Sequence, residues 1–182
     1  MNKSVIITAI TLLVSVITIP AVFSDDDRDE YRQRSLGVAA VISEPYTNEC
    51  SSCHMAYPPG LLPAGSWQKI MSGLDSHFGD NAELDSESLK LISEFLISNS
   101  ADNSSYRRSR KIIRGLNTKD APIRISELPY IKREHHEIPD KMIKYNPEVN
   151  SLSNCSACHA EAKKGLFDEH SVRIPGYGHW DD

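Results

Sequence analysis

Apolar positions recur at helical spacing in four stretches of this chain, while strand signals are weak. Trp67, Ile70, Met71 and Leu74 share one face of a helix that Ser66 caps and Gly79 ends, so it should run through Phe78, with His77 one turn beyond Leu74 on that face. Asp85 or Ser86 opens a second helix, in which Leu89, Ile92, Phe95 and Leu96 bury one side. A third is capped by Ser126, carries Ile131 and stops near His135 or His136, because Pro139 disfavours helix in the residues before it. The fourth begins at Ser153 or Asn154, holds Cys155, Cys158 and His159, and ends at Gly165. Pro58, Pro59 and Gly60 leave room for no more than a short turn after Cys53. The pattern predicts a mainly α fold with long irregular segments.

The N-terminus has a different character. Lys3 is the one charge before Asp25, Val5 to Ile19 is almost wholly apolar, and Val22-Phe23-Ser24 offers small residues for cleavage. The apolar run is 15 residues long, short of the roughly 20 that span a bilayer, so residues 1–24 are expected to be a cleaved signal peptide with no stable membrane insertion afterwards. The rest divides into an N-terminal segment (25–45), a segment around the first cysteine pair ending in a polar, basic connector (46–120), and one around the second pair (121–182).

All four cysteines fall in two pentapeptides, Cys50-Ser51-Ser52-Cys53-His54 and Cys155-Ser156-Ala157-Cys158-His159. Cys-x-x-Cys-His is the attachment motif of c-type haem. Two thiols on one turn each form a thioether to the porphyrin, and the following imidazole lies beneath the iron as proximal ligand. A zinc ribbon brings its paired knuckles to within roughly 15–20 residues, whereas 101 residues separate Cys53 from Cys155. A thioredoxin-like pair needs a βαβ context that neither motif has, and two disulfides would leave both histidines as coincidences. The expected architecture is therefore two small c-type haem-binding lobes packed around two covalently attached haems. Export fits this, since haem c is attached outside the bacterial cytoplasm, and places the protein in the periplasm. Aromatics make up only 7% of the chain, few for its length without a prosthetic group to pack against.

The sixth ligand of each iron separates a carrier from a catalyst. His77 follows His54 by 23 residues on a face that should pack on the first haem, with Met71 as its rival. In the second segment the candidates are His135, His136, His170, His179 and Met142. Adjacent helical residues point about 100° apart, so only one of His135 and His136 can face an iron. His170 lies in a polar stretch that favours exposure, and His179 stands beside Trp180 near the chain end.

Loss of residues 1–24 would leave 19 Lys and Arg against 25 Asp and Glu, a formal charge of −6. That balance excludes nucleic acid, whose binding rests on dense cationic clusters. The one basic stretch, Arg107, Arg108, Arg110, Lys111 and Arg114, reads as a solvated helix face; docking of an acidic redox partner or pairing with haem propionates is the alternative. No carboxylate pair, phosphate-binding glycine loop or nucleophile elbow is marked out, so no catalytic residues are assigned.

The segments between the motifs carry a resemblance too. Tyr46 to Cys53 (YTNECSSC), His54 to Pro63 (HMAYPPGLLP), Ser66-Trp67, Asp75 to Ala82 (DSHFGDNA) and Asn154 to His159 (NCSACH) are similar to the bacterial dihaem cytochrome c family called DHC, over nearly the whole mature chain. The resemblance implies a soluble periplasmic electron carrier with two bis-histidine haems, and hence His77 as the distal ligand of the first. The family's histidine followed by x-Glu-Ile-Pro falls on His135 to Pro139, a register that selects His135, with His136 as the alternative. It also implies redox partners, a membrane cytochrome b and a small monohaem cytochrome that binds oxygen. The expected function is single-electron transfer, not enzymatic turnover. Its rivals are a dihaem peroxidase or reductase with one open iron, disfavoured by the little room left for a substrate pocket, and a gas sensor with a displaceable ligand.

Overall fold

The computed structural model describes residues 37–117 and 120–180, together with Arg28 and Tyr31; the expected signal peptide at 1–24 lies outside them. Among the described residues the fold is mostly helical, with six short α-helices joined by 3-10 turns and one two-residue hairpin. The helices are α1 (Glu44–Cys50), α2 (Ala64–Met71), α3 (Ser86–Ser98), α4 (Arg107–Arg114), α5 (Pro129–Glu134) and α6 (Cys155–Cys158). Strands β1 (Arg173–Ile174) and β2 (Gly178–His179) pair antiparallel, with Arg173 opposite His179.

Helix α3 shows how the apolar spacing builds the core. Ile92 and Leu96, one turn apart, are 0% and 1% exposed and pack with Trp67 and Met71 of α2. Burial of each such side chain contributes about 1.5–3 kcal/mol. The Trp67 indole N–H donates to the Pro59 carbonyl at 2.8 Å, so α2 is fixed against the turn that follows the first motif. Asp85 caps α3, its carboxylate accepting from the Glu87 and Ser88 amides at 2.9 and 3.0 Å.

The Ser88 side chain, followed by the Ser88 amide, holds the Asp85 carboxyl below its ordinary value. A carboxyl depressed on folding stabilises the fold above its unfolded value, and that stabilisation is lost as pH falls through the folded one. Asp85→Ala is therefore expected to lower the thermal midpoint at pH 7. The deficit should shrink under acid, in melts followed by helical circular dichroism; a deficit independent of pH would remove the carboxylate from the cap.

Three elements differ from the sequence expectation. Helix α2 stops at Met71 instead of Phe78, and after Gly73 the chain tightens into a 3-10 turn over Leu74–Ser76. Ser66 lies inside α2 and the cap position falls to Pro63. Ser126 sits in a 3-10 turn (Ile125–Glu127), and α5 begins after Leu128 with Pro129 at its first position, where the missing N–H costs nothing. The last expected helix is interrupted: α6 ends at Cys158, a 3-10 turn covers Ala162–Lys164, and Gly165 closes that turn at φ +77°. Two elements were not anticipated: α1, capped by Ser43 with Pro45 in its first turn, and the hairpin β1–β2, too short for any alternation to register.

The basic connector is helical, as α4. Its Ile112 and Ser109 are buried, and the Ser109 hydroxyl donates to the Gly60 carbonyl at 2.8 Å. Near the N-terminus Val38 is fully buried, and its amide donates to the Gly165 carbonyl at 2.9 Å. No helix among the described residues is long and apolar enough to cross a membrane.

Candidate functional site

Both pentapeptides open onto one continuous cavity of about 720 Å³. Cys50, Cys53, Cys155 and Cys158 line it, as do His54, His77, His135 and His159. His136, His170 and His179 do not line it, whereas Met71 and Met142 do.

The first motif leaves α1 at Cys50 and turns through Ser51 to Cys53, so His54 emerges beside the irregular chain before Pro58. Its Nδ1–H donates to the Met55 carbonyl at 2.7 Å, leaving Nε2 free. The His77 ring faces it, with centroids 6.2 Å apart and planes 28° from parallel. His77 reaches this position because the chain leaves its 3-10 turn abruptly. Phe78 takes the left-handed region at φ +56°, Gly79 follows at +110°, and the Asp80 amide closes back on the His77 carbonyl at 3.1 Å. A left-handed phenylalanine costs about 1–2 kcal/mol. The Phe78 ring sits edge-on to His77 at 4.8 Å and is covered on its face by the Arg124 guanidinium, 4.3 Å from the centroid.

In the second pair, His159 ends α6 and His135 ends α5, with ring centroids 6.1 Å apart and planes at 77°. His135 Nδ1–H donates to the Ile131 carbonyl one turn back at 2.8 Å, again freeing Nε2. The neighbouring His136 turns the other way. Its side chain is 67% exposed, bonded to the Arg133 carbonyl at 2.8 Å and 3.6 Å from a Glu137 carboxylate oxygen. His170 and His179 are exposed beside the hairpin, His179 Nε2 bonding the His170 carbonyl at 3.0 Å.

Burial disfavours the charged form of one imidazole in each pair. It pushes His159 down to about 4, helped by His135 and Arg108. It also lowers His77, with His54 adding to the shift and Asp80 opposing it. A neutral ring with a free nitrogen is the form that binds a metal. Burial has the opposite effect on the thiols, raising Cys50 and Cys155 to about 11 each. Among the described residues no three His, Cys, Asp or Glu side chains converge on a metal position.

The donor set nevertheless fits one kind of centre. A metal with a bond of about 2 Å to each of two opposed imidazoles puts their centroids roughly 6 Å apart, close to both observed separations. Two protein ligands per metal suffice only if a planar macrocycle supplies the other four. The cysteines on the cavity wall beside His54 and His159 are placed to tether such a macrocycle.

Three residues that frame the site were not singled out as parts of it from the sequence, and a fourth, Arg108, was named there only within the basic stretch. Tyr57 stacks on His54 with centroids at 4.8 Å, and Phe167 packs edge-on to His159 at 5.4 Å. Tyr130 lies beneath Arg108, Lys111 and Arg133. Arg108 donates to the Tyr130 hydroxyl and to the Phe167 carbonyl, both at 2.8 Å, and lines the cavity. One cation of the basic stretch thus points inward instead of into solvent. The x-x-Tyr-Pro sequence after His54 is the one local signal that could have marked Tyr57.

Two imidazole pairs, each beside its own Cys-x-x-Cys, on the wall of one cavity define a c-type cytochrome with two haem sites. The dihaem cytochrome c family model, DHC, matches residues 46–167, and the chain belongs to that family. Among solved structures, a dihaem c-type cytochrome from Shewanella baltica is 44% identical, with a TM-score of 0.64, covering 76% of this chain and 97% of that one. A dihaem cytochrome c from Rhodobacter sphaeroides is 45% identical, also with a TM-score of 0.64, covering 71% of this chain and 100% of that one. No curated protein matches. Membership implies two covalently bound c-type haems, each with its iron, and electron transfer as the class of function.

Proposed function

We propose that the chain is a periplasmic one-electron carrier with two bis-histidine haems. In this reading His54 and His77 ligate the first iron, and His159 and His135 the second. Cys50, Cys53, Cys155 and Cys158 form the thioethers. The observation that carries it is the two pairs of opposed imidazoles, at 6.2 and 6.1 Å, each with one motif histidine and one from elsewhere in the chain.

Each haem supplies a reversible one-electron couple, lowered in potential relative to His/Met ligation. The chain's residues do the rest. The Met55 and Ile131 carbonyls accept from His54 and His135, fixing each tautomer and raising ligand basicity. The Phe78 ring, held under Arg124, limits how far His77 can turn away. Opposed histidines at both irons leave no open position for substrate, which favours a carrier over a peroxidase, a reductase or a gas sensor. His135 is favoured over His136 by its place on the cavity wall, and His77 over Met71 by its ring opposite His54. The apolar leader at 1–24 supports export, and the partners proposed with this reading are a small oxygen-binding monohaem cytochrome and a membrane cytochrome b.

The test is the optical and paramagnetic resonance spectrum of the purified holoprotein, oxidised and reduced, with carbon monoxide added to the reduced form. Two low-spin irons, no methionine-to-iron band and no carbon monoxide adduct are expected. His77→Ala should then open the first site alone, bringing about half of the iron to high spin. A high-spin iron in the unmodified protein would defeat the carrier reading.

A further inference from the structure

Tyr57 belongs to the first motif's segment, yet it reaches the second. Its ring lies on the His54 imidazole, 4.8 Å between centroids and 29° from parallel. Its hydroxyl donates at 2.7 Å to the Ser153 carbonyl, 96 positions along the chain. The Cys155 sulfur lies 3.6 Å from that same oxygen. The Tyr57 side chain and the Ser153 carbonyl therefore together link the proximal imidazole of one motif to the first cysteine of the other, with each join a van der Waals contact or a hydrogen bond.

The span is held from both ends. Pro58 and Pro59 stiffen the backbone after Tyr57, and the Tyr57 carbonyl accepts from the Tyr46 hydroxyl at 2.9 Å. Tyr46 is itself 3% exposed and lies in the core. Burial pushes the Tyr57 phenol up to about 12, so it remains a neutral O–H donor at ordinary pH. Other long-range bonds, such as Ser109 to Gly60, fasten helices to loops. Tyr57 differs in touching a histidine of one motif and the residue two positions before the other.

We propose that Tyr57 is the positioning residue that couples the two haem sites, its stacked ring and hydroxyl bond setting the register and electronic contact between the His54 side and the Cys155 side. This rests on the two-haem carrier reading. In the exchange it supports, one iron is oxidised by one electron and the other reduced by one; Tyr57 keeps its proton and its electrons.

The experiment uses the full holoprotein and measures how fast an electron equilibrates between the two sites after flash photoreduction. Resonance spectra and thermal midpoints accompany each rate. Tyr57→Phe keeps the ring and removes the bond to Ser153. It should slow equilibration severalfold, because the path loses its link from the phenol to the Ser153 carbonyl, with both irons still low-spin. Ser109→Ala, which loses a bond of similar length away from both motifs, should lower the midpoint and leave the rate unchanged. An unchanged rate in Tyr57→Phe, or equal slowing in Ser109→Ala, would overturn the proposal. If Tyr57→Phe loads haem poorly, Tyr46→Phe frees the Tyr57 backbone instead, and slower exchange is again expected; an unaltered rate there sinks the idea equally. High-spin iron in the unmodified protein would count against the carrier reading, and the exchange rates would still decide the role of Tyr57.

Discussion

Replacing His135 with alanine is expected to bring about half of the iron to high spin and to create a site that binds carbon monoxide when reduced, while His136→Ala leaves both spectra as they were. The contrast follows from geometry. The His135 ring stands 6.1 Å from His159, its Nδ1–H held by the Ile131 carbonyl, so its free nitrogen has one direction available. His136 is bonded to Arg133 beside Glu137, with its side chain 67% exposed. To exchange roles, the turn that follows α5 would have to rewind, breaking the bond from His135 to the Ile131 carbonyl. The potential of the opened site should also move, since its axial ligation has changed. An open iron in His136→Ala, with His135→Ala unaffected, would reverse the assignment.

The second large effect is expected from Gly165→Ala. Gly165 sits at φ +77°, and a Cβ there would lie 2.5 Å from the Val38 carbonyl oxygen and 3.2 Å from that of Ala39. The left-handed conformation alone costs a non-glycine residue about 1–2 kcal/mol, and forcing backbone apart adds roughly 1–3 kcal/mol. The neighbours cannot retreat cheaply, because Val38 is fully buried and its amide donates to Gly165. A fall of roughly 5–15 °C in the thermal midpoint is expected for a domain of this size. Gly176→Ala is the control. Gly176 has nearly the same φ, +76°, but nothing within 4 Å of the added carbon, so only the conformational part should appear. Equal losses in the two variants would mean that the contact with Val38 does not constrain the fold.

The helical class of the fold was legible because α3 obeys the simplest rule: Asp85 caps it, and Ile92 and Leu96 at helical spacing are buried. The same rule overran at α2. Leu74 continues the apolar stripe, but Gly73 lets the chain leave the helix, and the turn that follows aims His77. Periodicity describes which face is apolar; it does not say where the backbone stops being helical. Which cation of the basic stretch turns inward was illegible for a related reason. Five cations on eight residues look alike in sequence, and only the packing of α4 against Tyr130 and Phe167 turns one of them inward.

By itself, the sequence determined the covalent chemistry, since Cys-x-x-Cys-His spacing is local and fits within a single turn. It also determined the family, through matching segments between the motifs. Tertiary structure set His77 opposite His54 and His135 opposite His159, pairings that the resemblance implied without geometry, and it alone decided that both motifs share one cavity. It also decided that Tyr57 stacks on His54 and bonds the Ser153 carbonyl, because those relations depend on segments 20 to 100 residues apart folding back on one another.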